Sequence, residues 1–258
     1  TEIMKKIILK CKRYKEIDDC KESVCLHGWL MEIISDQFAE ELHQTGTNPL
    51  SLQTIHDDET VSFILNLLNE KSCSEIEPLI MDDALERIKL RTGEQKEFQI
   101  LEKRVYEMSE KKLSQIFYAN DCNNVLKLKI VTPTAFKTNG KYLFFPDIRM
   151  MFQNIMRKYN CIFENTEDVD LELLDEICNK VEIAAYNVRS RRFYLHKAYV
   201  NGFQGYLTLV CHGSQTLTNY VAVLLKFAEY SGVGVKTSMG MGAIELLEGV
   251  DSVGRKNG

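Results

Sequence analysis

The sequence predicts an α+β protein made of two halves with antiparallel sheets. Short apolar runs typical of strands alternate with longer stretches in which apolar residues recur at helical spacing. The first half reads β-α-β-β-α-β, which is the ferredoxin-like order. A polar, turn-rich segment at 120–124 (NDCNN) separates it from the second half, so we place the two domains at 1–120 and 121–258.

The first half is predicted to contain one long amphipathic helix with strands and a second helix around it. Apolar residues at helical spacing predict a helix over 23–43, and Gly46 and Pro49 follow it as terminating residues usually do. The remaining elements predicted here are strands over 5–12, 50–55 and 61–68, a helix over 74–87, and strand-like or mixed segments up to residue 118.

The second half contains the strongest short-range turn signal of the chain. Asn139-Gly140 lies between the segments 134–137 and 142–145 and predicts a hairpin. The other elements predicted here are a helix capped by Asp147 and ending near residue 159, a loop over 164–176, strands over 125–131, 182–186, 193–199, 206–210 and 243–247, and a helix over 217–230.

Charge is distributed unevenly between the halves. The whole chain has 32 lysines and arginines against 37 aspartates and glutamates, with 45% hydrophobic residues. This composition is that of a folded protein, and the net charge of −5 alone disfavours a nucleic-acid partner. The acidity, however, lies in the first half: residues 1–120 carry 16 basic and 23 acidic side chains, whereas residues 121–258 carry 16 basic and 14 acidic ones.

Neither a metal-binding pattern nor an export or membrane segment is found in the sequence. The eight cysteines include no C-x-x-C pair and none at finger-like spacing from a histidine, so we expect reduced thiols and no metal. No stretch approaches 18 apolar residues, and residues 1–13 lack the apolar core and cleavage site of a signal peptide. We therefore expect a cytoplasmic protein with no membrane partner and no cofactor.

A basic segment with interleaved aromatic residues lies in the second half. Cations there can pair with phosphates while aromatic rings stack on unpaired bases, which favours contact with a nucleic-acid strand. A solvated edge strand protected by its charges has the same composition, and the residues alone do not separate the two interpretations. The candidate binding residues are Arg189, Arg191, Arg192, His196 and Lys197, next to Tyr186, Phe193, Tyr194 and Tyr199.

The most specific feature is a glycine-rich segment over 232–242 (GVGVKTSMGMG). Glycines allow backbone conformations that bring N–H groups close to an anion. Rossmann and P-loop sites run from a strand into a helix, whereas here a helix precedes the glycines and a strand follows, which excludes both. A loop that contacts the phosphates of a polymer and a plain connection both stay open. The residues concerned are Gly232, Gly234, Lys236, Thr237, Ser238, Gly240 and Gly242.

This glycine-rich segment, within FAEYSGVGVKTSMGMGAIEL at 227–246, resembles the C-terminal signature of the CRISPR-associated endoribonucleases that process repeat RNA. They belong to the RAMP superfamily, whose non-cleaving RNA-binding members share the loop. The resemblance covers most of the chain and implies tandem ferredoxin-like, RRM-like domains with antiparallel sheets and a cleft that holds repeat RNA. Other elements that resemble the family are 132–137 (TPTAFK), 139–146 (NGKYLFFP), 202–209 (GFQGYLTL) and the N-terminal helix ending in Leu42-His43.

The reaction that the resemblance implies is a metal-independent transesterification. The ribose 2′-hydroxyl attacks the adjacent phosphate and leaves a 2′,3′-cyclic phosphate and a free 5′-hydroxyl. His43 lies in the last turn of the first predicted helix, where the helix dipole favours an imidazolium that can protonate the leaving oxygen. The family's catalytic histidine occupies this place, so His43 is the first catalytic candidate. His27, near the start of the same helix, is the second, although its alignment with Met31 also fits half-buried packing.

Two positions differ from the family's better-known pattern: Met31 stands where some members have a tyrosine, and residues 44–52 contain no lysine. A repeat-RNA endoribonuclease is the first hypothesis. The alternatives are a non-catalytic RAMP-fold subunit that binds crRNA in an effector complex, and an α+β interaction protein that binds no RNA. The expected partner is CRISPR repeat RNA, with effector-complex subunits and a second copy of the chain as further candidates.

Overall fold

The N-terminal half is a five-stranded antiparallel sheet with helices on one face, in a computed structural model that describes residues 2–13, 19–44, 46–92 and 94–248. Its elements are β1 (Ile3–Lys12), α1 (Asp19–Ile33), α2 (Asp36–Gln44), β2 (Leu50–His56), β3 (Thr60–Leu67), α3 (Glu70–Ile80), β4 (Arg87–Thr92), β5 (Glu94–Ser109) and α4 (Glu110–Ala119). The strand order is β2-β3-β1-β5-β4. The first four strands of that order form the ferredoxin-like sheet, and β4 adds an outer strand paired with β5.

The C-terminal half repeats this plan with four strands in the order β11-β6-β10-β9. The predicted fold class, α+β with antiparallel sheets, is therefore confirmed. Its elements are β6 (Val125–Thr134), β7 (Phe136–Thr138), β8 (Lys141–Leu143), α5 (Ile148–Glu164), α6 (Leu171–Lys180), β9 (Val181–Tyr194), β10 (Tyr199–Cys211), α7 (Gln215–Ser231), a 3₁₀ turn (Thr237–Met239) and β11 (Ile244–Glu248).

The single helix predicted over 23–43 is wrong, because the segment forms two helices, α1 and α2. Ser35 lies between them, and its side-chain oxygen accepts the backbone N–H of Phe38 at 3.2 Å. This is the hydrogen bond of a helix N-cap, so the chain starts a second helix there. Phe38 and Leu42 of α2 and Leu30 of α1 are buried in the same core, which explains why the apolar spacing runs through the break.

Other boundaries also differ from the sequence prediction. The segment up to residue 118 was predicted as strand-like or mixed and 164–176 as loop, yet residues 110–119 and 171–180 form helices that begin after side-chain N-caps, Ser109 and Asp170. The helix predicted over 74–87 is α3, which runs over Glu70–Ile80. The two strands predicted over 182–186 and 193–199 are one long strand, β9, followed by the turn into β10.

The two halves share a large apolar core, a smaller apolar cluster and polar contacts. In the large core, Met4 of β1 and Leu113 of α4 are buried with the apolar residues of the second half. Val24 of α1 packs with Phe193, Val200 and Met241 of the second half. At the other end of the contact, the Lys6 ammonium donates to the carbonyl oxygen of Glu229 at 3.2 Å. These contacts bring α1, the glycine-rich segment and the β9–β10 hairpin to one place, where the candidate site lies.

Candidate functional site

His43 and His196 both lie within electrostatic range of His27, so three elements bring a histidine to one region. His27 lies on α1, His43 in the last turn of α2, and His196 in the turn between β9 and β10. Burial lowers the pKa of His27, and the positive charges of His43 and His196 lower it further. His27 is therefore neutral at neutral pH and able to accept a proton.

The packing of α1 explains how His27 reaches this place. Val24 contacts the second half, and His27 follows one turn later on the same face of the helix. The turn that carries His196 is closed by a hydrogen bond from the N–H of Leu195 to the carbonyl oxygen of Ala198 at 2.8 Å. Phe193 of this hairpin packs with Val24, and His196 lies within electrostatic range of His27.

His43 is exposed at the C-terminal end of α2. The helix beneath it is fixed by buried Phe38 and Leu42 and by the ion pair between Lys71 of α3 and Glu41 at 2.6 Å. One exposed and one half-buried histidine thus lie together, an arrangement suited to a proton donor and a proton acceptor.

The other two histidines have structural partners. His56 is half-buried at the end of β2. Its Nε2 lies 2.8 Å from Oε2 of the fully buried Glu22, and this contact joins α1 to the sheet. His212 is exposed and lies 2.9 Å from Glu182. Neither belongs to the cluster formed by His27, His43 and His196.

The basic strand presents its arginines on two faces. In the pairing of β9 with β10, Arg189 lies opposite Gln204 and Arg191 lies opposite Gly202. Arg192 lies opposite Asn201. Since strand residues alternate, Arg189 and Arg191 share the face of Phe193, which turns towards α1 and the histidines. Arg192 points the other way, with its guanidinium 4.5 Å from the ring centre of Tyr199. Lys197 is exposed in the turn next to His196.

Two residues that the sequence prediction missed extend the Arg189 face across the sheet. Tyr206 of β10 lies opposite Asn187 of β9 and also opposite Lys129 of β6, so its exposed ring and Lys129 continue the same surface. The alternation of apolar and polar residues along β6 and β10 was the signal that could have found them.

The glycine-rich segment forms a tight loop whose four glycines are buried and have positive φ. A Cβ on Gly234 would lie 2.2 Å from the carbonyl oxygen of Ala135, and one on Gly240 would lie 2.3 Å from Cβ of Ser23 in α1. The glycines, including Gly232 and Gly242, therefore shape the loop and bring it against its neighbours. Its partly exposed polar side chains are Lys236 and Ser238, while Thr237 is buried.

No grouping of three or more histidine, cysteine or acidic residues suited to a metal occurs within the described residues. The seven cysteines whose side chains are described are all free. Among the helices described, none has the length and apolar character needed to span a membrane.

Comparison with known proteins gives consistent matches. Residues 128–244 match the family model of the CRISPR-associated endoribonuclease Cas6. A CRISPR-associated endoribonuclease Cas6 from Streptococcus thermophilus is 32% identical over 250 residues, covering 96% of this chain and 100% of that protein. One from Mycobacterium tuberculosis is 34% identical over 222 residues, covering 86% of this chain and 70% of that protein. Among solved structures, a Cas6 product complex has a TM-score of 0.76 at 19% identity, covering 95% of this chain and 99% of that chain.

Proposed function

The chain belongs to the Cas6 family of CRISPR-associated endoribonucleases, and from that premise we propose that it cleaves CRISPR repeat RNA by metal-independent transesterification. The observation that carries this proposal is the convergence of His27, His43 and His196 beside the basic strand. Two imidazoles in different environments supply the acid and the base that such a reaction needs.

In the proposed reaction the 2′-oxygen attacks the adjacent phosphorus while the bond from phosphorus to the 5′-oxygen breaks. Neutral His27 takes the proton of the 2′-hydroxyl, and His43 in its imidazolium form gives a proton to the leaving 5′-oxygen. The products are a 2′,3′-cyclic phosphate and a 5′-hydroxyl, so protons and electrons balance. His196 contacts the phosphate in this proposal, and the positive charge of Lys197, next to it in the same turn, stabilises the phosphorane.

The rest of the RNA is proposed to follow the surface that leads to these histidines. Arg189, Arg191 and Lys236 offer cations to its phosphates. Arg192 and the ring of Tyr199 offer a second contact on the opposite face of β9, beside the hairpin turn. Thr237, Ser238 and the loop glycines Gly232, Gly234, Gly240 and Gly242 complete the proposed contact by fixing the backbone near the RNA. Specific binding then rests on a few placed cations, which agrees with the net charge of −5.

Cleavage should proceed in EDTA and should stop when the ribose at the cleavage site is replaced by 2′-deoxyribose. The reason is that the attacking nucleophile is the 2′-oxygen and the protons are moved by imidazoles. The measurement is a single-turnover assay with the repeat RNA of the neighbouring CRISPR locus, followed by mapping of the product ends. A repeat with 2′-deoxyribose one nucleotide away serves as the control and should be cut normally.

Two results would contradict this chemistry: a requirement for magnesium, or cleavage of the RNA that lacks the attacking hydroxyl. Tight binding of the repeat with no cleavage under any condition would instead support the non-catalytic crRNA-binding alternative.

Replacing Arg189 and Arg191 together by alanine should weaken RNA binding and reduce its dependence on salt. Each lost phosphate contact lowers the slope of log K against log salt by about 0.7 for a single strand. The measurement is the Kd of an uncleavable repeat between low and moderate salt. Arg87→Ala is the matched control, because Arg87 is exposed on β4 and pairs with Glu97. An unchanged slope in the double variant would show that this face does not meet phosphate.

A further inference from the structure

Lys158 is a lysine inside the core of the C-terminal half. On α5 it follows Met151 and Ile155 and precedes Ile162 at spacings of four, three and four residues, so it lies on the buried face of the helix. Its exposed fraction is 9%, and burial lowers the pKa of its ammonium to about 7. An apolar side chain of similar length would fill the same space without this desolvation cost.

The Lys158 ammonium donates hydrogen bonds to the buried side of the glycine-rich loop. Its Nζ lies 3.5 Å from the carbonyl oxygen of Gly232, 3.2 Å from that of Gly234, and 3.4 Å from Oγ1 of Thr237. Asn154, one turn earlier on α5, accepts the N–H of Gly234 on its side-chain oxygen at 2.8 Å. Helix α5 is therefore hydrogen-bonded to the loop through two backbone carbonyls, one hydroxyl and one backbone N–H.

These contacts decide which groups of the loop face outwards. With the carbonyls of Gly232 and Gly234 turned inwards, Lys236 takes a left-handed conformation with φ of 54° and leads into the 3₁₀ turn. Within the part of the chain that the structure describes, the N–H groups of residues 236–238 have no protein acceptor. The partly exposed polar side chains of the loop are those of Lys236 and Ser238.

We propose that Lys158 is a positioning residue that holds the glycine-rich loop in its RNA-binding shape. The inference rests on the proposed contact between this loop and the RNA backbone. Lys158 itself does not touch RNA, since its ammonium is enclosed between α5 and the loop. Lys158 acts on RNA binding through its partners Gly232, Gly234 and Thr237. These residues set the backbone that carries the partly exposed Lys236 and Ser238.

The test replaces Lys158 by methionine, which keeps the length and the apolar stem but removes the donor. Three quantities are measured: thermal stability, the Kd of an uncleavable 2′-deoxy repeat, and the single-turnover rate at saturating enzyme. We expect Lys158→Met to stay folded, because methionine fills the same space, and to bind RNA at least about tenfold more weakly, because the carbonyls of Gly232 and Gly234 lose their donor. The rate at saturation should change by less than about threefold, since the loss is one of binding.

Control variants separate the possible failures. Lys111→Met, at an exposed position of α4, should change none of the three quantities. Lys236→Ala tests the loop itself: if it leaves the Kd unchanged, both the loop contact and this inference are overturned. If Lys236→Ala weakens binding and Lys158→Met does not, only the positioning role of Lys158 is overturned.

Asn154→Leu gives a second route in case Lys158→Met does not fold. It removes the other polar contact from α5 to the loop and should also weaken RNA binding, by a similar factor. The double variant should then lose less than the product of the two single effects, because both act on one loop conformation. Unchanged RNA affinity in Asn154→Leu, with Lys158→Met unable to fold, would also count against the inference.

Discussion

The His43→Ala variant is expected to cleave repeat RNA about 10²–10⁴-fold more slowly than the parent protein at saturating enzyme. The leaving 5′-oxygen would then depart without a positioned proton donor. Binding should be nearly unaffected, because His43 is exposed at the end of α2 and supports no buried contact. Single-turnover rates and the Kd of an uncleavable repeat, measured on the same preparation, separate the two quantities.

His212→Ala is the matched control, since His212 is exposed and paired with Glu182 at the far end of β9. It should cleave at the parental rate. If His43→Ala also cleaves at that rate, the acid is His27 or His196.

The pH profile of the cleavage rate helps to assign the base. Because the pKa of His27 is lowered from 6.5, the rate should rise with pH through a value below 6.5. This limb should persist in His43→Ala and vanish in His27→Ala.

The elements that the sequence predicted well are those whose signals are local. Asn139 and Gly140 both adopt positive φ, at 49° and 75°, in the turn between β7 and β8. Asp147 caps α5 as expected, by accepting the N–H of Met150 at 2.8 Å. Helices α4 and α6 were missed although Ser109 and Asp170 cap them and apolar residues recur at helical spacing in both. Each is only 10 residues long, so this spacing covers few residues.

The candidate site was only partly predictable, because it depends on how the two halves pack. The position of His43 at a helix end could be read from the chain, and this assignment stays a prediction. The proximity of His196 to His27 could not, since it follows from the packing of Phe193 on Val24. Lys158 was overlooked although its place among apolar residues at helical spacing was visible in the sequence.

Gly240→Ala should both destabilise the protein and slow cleavage, because Gly240 is where the glycine-rich loop meets α1. A methyl group there would lie 2.3 Å from Cβ and 2.7 Å from Oγ of Ser23, and the φ of 111° is itself strained for any residue with a Cβ. Strain and overpacking together should cost about 2–4 kcal/mol, measured as a lower melting temperature. Relief requires α1 to move, and a shift of about 1 Å at His27, one turn after Ser23, can slow cleavage by about 10²-fold.

Gly28→Ala is the contrasting variant, since Gly28 lies next to His27 in α1 and a Cβ there would meet nothing within 4 Å. It should raise stability by up to about 1 kcal/mol, because alanine favours the helix. Ser23→Gly added to Gly240→Ala removes the atoms that clash and should recover part of the cleavage rate, although the strain at φ of 111° stays. Parental stability and parental cleavage in Gly240→Ala would mean that the close approach of the loop to α1 does not set the position of His27.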